Sequence, residues 1–62
     1  MLASVGYDRA TATLEVAFVE GAIYRYFNVP SDVYASLMSA SSHGTYFDAY
    51  VKQVGYRYVK VE

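Results

Sequence analysis

The chain has 62 residues, of which 55% are hydrophobic and eight are tyrosine, and it contains no cysteine or tryptophan. This length predicts one domain over residues 1–62, and the missing thiols exclude disulfides and cysteine-ligated metal sites. Five basic and six acidic side chains leave a net charge of −1, which gives no general support for binding the phosphates of nucleic acid.

The apolar content is high for so short a chain. A core of this size leaves some hydrophobic surface outside, so we expect a homodimer or docking to a protein partner. No run reaches the roughly 18 apolar residues of a membrane span. The first residues also lack the basic and apolar regions of a signal peptide. We therefore expect no membrane contact and a cytoplasmic location.

Two strands are predicted at the start of the chain. Residues 4–8 form a short first strand that ends in a polar turn. Residues 13–19 alternate between apolar and polar types, which places Leu14, Val16 and Phe18 on one face. This second strand is half-buried, and those three side chains point toward the core.

A hairpin and a helix follow. Glu20 and Gly21 supply a tight turn, in which Gly21 can adopt a positive φ. The return strand covers residues 22–29, which are rich in aromatic and β-branched types. Pro30 suits the first turn of a helix that runs to Ala40. That helix carries one apolar stripe, formed by Val33, Tyr34, Leu37 and Met38.

A second helical segment and a last strand complete the chain. Tyr46 and Tyr50 lie four residues apart, as do Phe47 and Val51. Gly55 stops this helix, and residues 56–61 form the last strand. The order β-β-β-α-α-β indicates an α+β fold, a small antiparallel sheet with two short helices on one face.

Arg25 decides which face of the third strand is buried. If Ile23 and Phe27 faced the helices, Arg25 would be buried with them, which is unfavourable without a partner. Tyr24 and Tyr26 are therefore predicted to face inward. By the same alternation Tyr56 and Tyr58 face inward, and the outer face resembles a contact surface of apolar residues around two arginines: it carries Ile23, Arg25, Phe27, Arg57, Val59 and Val61.

The tyrosines leave two interpretations open. Tyr24-Arg25-Tyr26 and Tyr56-Arg57-Tyr58 could stack bases on the phenols and hold phosphate with the arginines. Alternatively, the phenols fill a small core while the arginines are solvated on the outer face.

The segment around His43 also has two interpretations. Ser42, His43 and Gly44 precede the second helix, where free amides, hydroxyls and an imidazole could hold a phosphate or carboxylate. The alternative is ordinary helix-break chemistry, in which Ser42 or Thr45 caps the helix and Asp48 completes a capping box with Thr45.

A series of short motifs runs from Val5-Gly6-Tyr7-Asp8 through Tyr24-Arg25-Tyr26 and Asn28-Val29-Pro30 to Tyr46-Phe47 and the closing Tyr56-x-Tyr58. In this order the motifs resemble the KTSC domain, a small bacterial module found at the C-terminus of some lysyl-tRNA synthetases and as a stand-alone protein. The resemblance implies no established reaction, and it suggests RNA binding. Its central Tyr-x-Tyr motif falls on Tyr24 and Tyr26. His43 stands where lysine is common, which makes this chain less basic.

The residues predict no catalytic or metal centre. His43 is the only histidine, and its closeness to Ser42 in sequence gives no triad geometry by itself. The carboxylates are scattered, without a paired acid and base or an acidic cluster beside the histidine. We therefore expect no enzyme activity and no cofactor. The sequence favours a binding or interaction module that uses the outer sheet face, and the alternative is a weak RNA- or tRNA-binding module.

Overall fold

Four strands form one antiparallel sheet in the computed structural model, which describes all 62 residues. The strands lie in the order of the chain: Leu2–Asp8 (β1), Thr13–Phe18 (β2), Ile23–Tyr26 (β3) and Tyr58–Lys60 (β4). Between β3 and β4 the chain forms two helices. The first is Ser31–Ser39 (α1), and the second is His43–Phe47 (α2), which continues as a π-helical turn over Asp48–Lys52. The predicted α+β fold and element order are confirmed.

Strand alternation gives the sheet one covered face. Leu14 lies opposite Tyr26, and Val16 lies opposite Tyr24, so these side chains share a face. Leu14, Val16 and Tyr26 are buried there. Residues after β3 complete the core from the helical side: they are Val29, Leu37, Phe47 and Val51.

The β2–β3 turn is longer than the sequence predicted. Phe18 N donates to Ala22 O at 2.8 Å, which closes a three-residue loop from Val19 to Gly21. Gly21 adopts φ 105°, as the sequence predicted. A glycine in this region completes the usual three-residue hairpin.

Three strands differ in length from their predicted ranges by more than one residue. β1 begins at Leu2 and includes an irregularity between Leu2 and Ser4. β3 ends at Tyr26 because Asn28 adopts φ 57°, a left-handed conformation that interrupts an extended strand. Tyr56 and Arg57 precede the regular part of β4.

Each helix begins in a different way. Pro30 occupies the N-cap position of α1 without a side-chain cap, and its carbonyl accepts from Val33 N at 3.0 Å. Ser42 is the cap of α2, and it accepts from Thr45 N at 3.3 Å. Ser42 therefore caps rather than Thr45, and no capping box between Thr45 and Asp48 forms.

None of the helices has the length and apolarity that a bilayer-crossing helix needs.

The π-helical turn ends in two contacts between the same pair of residues. Gln53 N donates to Asp48 O at 3.2 Å, five residues back, and Gln53 Nε2 donates to Asp48 Oδ2 at 3.1 Å. Gly55 follows with φ 101°, which reverses the chain toward β4.

Neighbouring residues of α1 provide a test of the core. Leu37 is fully buried, whereas Met38 is 42% exposed. Leu37→Ala is expected to lower the free energy of unfolding by about 2–5 kcal/mol, because it leaves a cavity. Met38→Ala is expected to change it by only about 0.5 kcal/mol. Urea unfolding followed by circular dichroism measures both, and equal losses would contradict this packing of α1.

Candidate functional site

The helix-free face of the sheet brings the predicted outer residues together. Ile23 and Arg25 lie on β3, and Val59 of β4 is directly opposite Arg25. Phe27 N donates to Arg57 O at 2.8 Å, so these two residues continue the pairing just beyond the regular strands. The four predicted binding residues of the sheet therefore lie on two adjacent strands or directly beside their ends.

An ion pair that the residue pattern did not predict crosses this face. Arg25 Nε donates to Glu15 Oε1 at 2.7 Å, and the two residues are directly opposite each other on β3 and β2. Both side chains are about half exposed, so the pair contributes little to stability. It does offset the charge of Arg25 and leaves Arg57 as the outer-face arginine without an ion pair.

The helix-free face divides into a polar half and an apolar half. Over β1 and β2 it carries an open depression of about 630 Å³, lined mostly by polar and small residues such as Gly6, Asp8 and Thr13, and this depression extends to Arg25 and Phe27. Over β3 and β4 it carries larger apolar side chains. Val59 is 47% exposed and Val61 is 43% exposed, although both are aliphatic. The apolar half is therefore the part of this face best suited to contact another protein.

The motif tyrosines lie on the opposite, helix-covered face. The ring of Tyr26 is 5.3 Å from that of Tyr58 and 5.5 Å from that of Phe47, measured between centroids. Tyr24 is 5.9 Å from Tyr58 and is half-buried. Tyr56 packs against the core, whereas Tyr58 remains 58% exposed because it lies on an edge strand. The core interpretation therefore describes Tyr26 fully and Tyr58 only in part.

Tyr26 has an altered acidity. Burial raises the pKa of its phenol above the ordinary value of 10.0, and the nearby phenols of Tyr58 and Tyr24 raise it further. Because neighbouring phenols that lose their protons would carry negative charges that repel one another, the cluster favours neutral tyrosines.

The segment around His43 forms a separate place on the molecule. Ser42 Oγ donates to Thr45 Oγ1 at 2.9 Å in addition to accepting from its amide, so the hydroxyl serves the helix cap. His43 and Gly44 are exposed at the start of α2. The depression beside them, of about 480 Å³, is bordered by Met1 and Leu2 and shares no residue with the depression on the sheet face.

The structure thus divides the predicted binding residues into two groups. Ile23, Arg25, Phe27 and Arg57 belong to the sheet face, and Ser42, His43 and Gly44 belong to the helix cap. The structure contains no group of three or more His, Cys, Asp or Glu side chains placed to hold a metal ion.

Comparisons with known proteins identify the family. The model of the KTSC domain matches residues 1–58. A protein from Stutzerimonas stutzeri of uncharacterized function is 43% identical over 61 residues, which cover 98% of this chain and 86% of that protein. The crystal structure of a KTSC domain protein from Yersinia pestis superposes with a TM-score of 0.88 at 32% identity, and covers 98% of this chain and 84% of that one. The chain belongs to the KTSC domain family.

A similar segment also occurs in a much larger protein. A lysine–tRNA ligase from Nostoc punctiforme is 39% identical over 46 residues, which are 74% of this chain and only 8% of the ligase. The similarity therefore concerns a small segment of that enzyme.

The phenol of Tyr26 is expected to titrate later than an ordinary tyrosine. The folded chain favours the neutral phenol. Its contribution to the free energy of unfolding is therefore fully present below the unfolded pKa near 10, and it is lost as the pH rises through the raised folded pKa. Ring-labelled tyrosine followed by NMR measures the titration. Tyr26→Phe should remove the late-titrating signal, and Tyr50→Phe, at an exposed position, should retain it. A late signal that survives Tyr26→Phe would contradict this assignment.

Proposed function

We propose that this KTSC domain is a non-catalytic binding module whose helix-free sheet face docks onto protein, with a second copy of the chain as the first candidate partner. The observation that carries the proposal is the exposure of Val59 and Val61 beside Ile23 and Phe27, on a face that no helix covers. Burying this apolar area against a second surface removes it from water, which favours association.

The surrounding charges suit a protein contact. Glu15 and Arg25 form a solvent-exposed pair next to the apolar half, which resembles the polar rim of an ordinary interface. Arg57 adds a side chain of the type enriched at interfaces, and it is not in an ion pair within the chain. An apolar centre with a balanced polar border supports protein as the partner.

The size of the face sets the expected strength. The four strands lie about 4.8 Å apart and have a mean length of five residues of about 3.3 Å each, so the face presents about 300 Å². A stable interface buries about 800 Å² on each partner. Face-to-face association alone is therefore expected to be weak and strongly dependent on concentration.

An RNA-associated module is the second candidate function. The similar segment in lysine–tRNA ligases favours it. The net charge of −1 and the pairing of Arg25 with Glu15 weigh against it, because sequence-independent RNA affinity comes from cations that contact phosphates. RNA binding by such contacts would weaken steeply with salt, whereas an apolar protein contact would persist.

Threonine substitutions on the face test the proposal. Ile23→Thr and Val59→Thr keep the β-branched shape of each strand residue and remove apolar surface. Each is expected to weaken self-association at least about fivefold, because the loss of one buried methyl-sized group costs about 1 kcal/mol. Analytical ultracentrifugation over a range of concentrations, at low and high salt, measures the dissociation constant.

Val54→Thr is the matched control for these variants. Val54 is 58% exposed but lies in the turn after the π-helical turn, away from the sheet. The Val54→Thr substitution should leave self-association unchanged. Equal effects of all three substitutions, or none from the two sheet variants, would refute a role for the face in self-association.

A further inference from the structure

We propose that two copies of the chain pair antiparallel through the free edges of their β4 strands, joining the two four-stranded sheets into one continuous sheet. This inference rests on the proposed self-association and adds a second contact to it, made through a strand edge rather than through the face. The pairing would place the two helix-free faces side by side, as one larger face.

The two edges of the sheet differ in how well they are protected. β1 and β4 are the outermost strands. β1 contains an irregularity between Leu2 and Ser4, and bulges of this kind disrupt pairing with another chain at that end of the strand. β4 has a regular register with β3, and all three of its residues are exposed. β4 is therefore the edge without an irregularity, and it can accept another strand along its whole length.

The hydrogen bonds of β4 to β3 show which backbone groups are free. Phe27 N donates to Arg57 O, and Val61 N donates to Ile23 O at 2.7 Å. In an antiparallel pair the bonded residues alternate with residues whose backbone groups point the other way. The N–H and C=O groups of Tyr58 and Lys60 therefore point outward from the sheet.

The length of β4 selects one register for the pairing. The strand is centred on Val59, so full overlap of two copies places Val59 opposite Val59 of the second copy. Tyr58 then lies opposite Lys60 of the second copy, and the twofold axis places Lys60 opposite Tyr58 of the second copy in the same way. The two residues with outward backbone groups thus meet each other, which allows both to donate and accept across the axis.

The side chains are complementary in this register. Lys60 lies opposite Tyr24, and Tyr58 lies opposite Tyr26. All four side chains therefore lie on the helix-covered face of the sheet. Across the axis, each lysine meets a phenol, which can attract its ammonium group. A register with Lys60 opposite itself would set like charges together. On the outer face, the pairing buries part of the exposed Val59 and Val61.

Lys60→Pro and Lys60→Ala form a matched pair that isolates the edge. Proline removes the outward N–H of residue 60, and an edge strand tolerates it because that group does not bond to β3. Lys60→Ala removes the same charge but keeps the N–H. We expect Lys60→Pro to weaken the dimer at least tenfold and Lys60→Ala to weaken it less than about threefold, in sedimentation of the full chain. Circular dichroism checks that both variants are folded.

Hydrogen exchange of the unmodified chain gives a second, independent measurement. The amides of Tyr58 and Lys60 should exchange fast at low protein concentration and more slowly as concentration rises, while the amide of Val59 should be protected throughout. Equal dissociation constants for Lys60→Pro and Lys60→Ala would overturn the edge pairing, as would exchange at Tyr58 and Lys60 that does not depend on concentration.

The outcomes also separate this inference from the proposed function. A dimer weakened by Ile23→Thr but not by Lys60→Pro would support the face and overturn the edge. A dimer weakened by Lys60→Pro but not by Ile23→Thr would support the edge and overturn association through the face. A chain that stays monomeric at every concentration would overturn the edge pairing and leave a different protein as the partner of the face.

Discussion

The three-residue turn from Val19 to Gly21 is the constraint on which the rest of the sheet depends. It places Val16 opposite Tyr24 and Glu15 opposite Arg25. The core-facing side chains of β2 and β3 therefore share one side of the sheet, and the charged side chains share the other. A two-residue turn at Glu20 and Gly21 would shift the pairing by one residue and set Val16 opposite Arg25. Because strand side chains alternate, that shift would turn the arginine toward the core. The φ of 105° at Gly21 is thus linked directly to which face of the molecule is apolar and exposed.

The helices explain why one face of the sheet stays open. The chain forms only α1 and the short α2 with its π-helical turn, and their buried residues, Leu37, Phe47 and Val51, all join the core on one side. The limited helical cover also explains why the two Tyr-Arg-Tyr units are buried to different extents. Tyr26 lies on an inner strand against Phe47 and is buried, whereas Tyr58 lies on the edge strand and remains largely exposed. A tripeptide repeated in sequence therefore has two different environments.

The sequence predicted what alternation and glycine chemistry determine, and it missed what depends on register and local geometry. The face of β2 and the positive φ of Gly21 followed from residue types alone. The π-helical turn did not, because Phe47 and Val51 are four residues apart and would fit an ordinary α-helix equally well. The end of β3 depends on the conformation of Asn28, a residue type that tolerates positive φ without requiring it. The partner of Arg25 required the register, since Glu15 is ten residues away.

The candidate site follows from the same limits. In a chain this small, any apolar residue that the single layer of helices does not cover stays in contact with water, and Val59 and Val61 are such residues. They lie beside a strand edge with free backbone groups, where exposed apolar side chains favour pairing with another chain. A domain that had only to fold would gain from a charged residue at these positions, because charge blocks such pairing. Lys60 provides one charge there, yet it is flanked by two valines on the opposite face. That combination limits uncontrolled aggregation and still permits one specific contact, which is what the proposed interaction module requires.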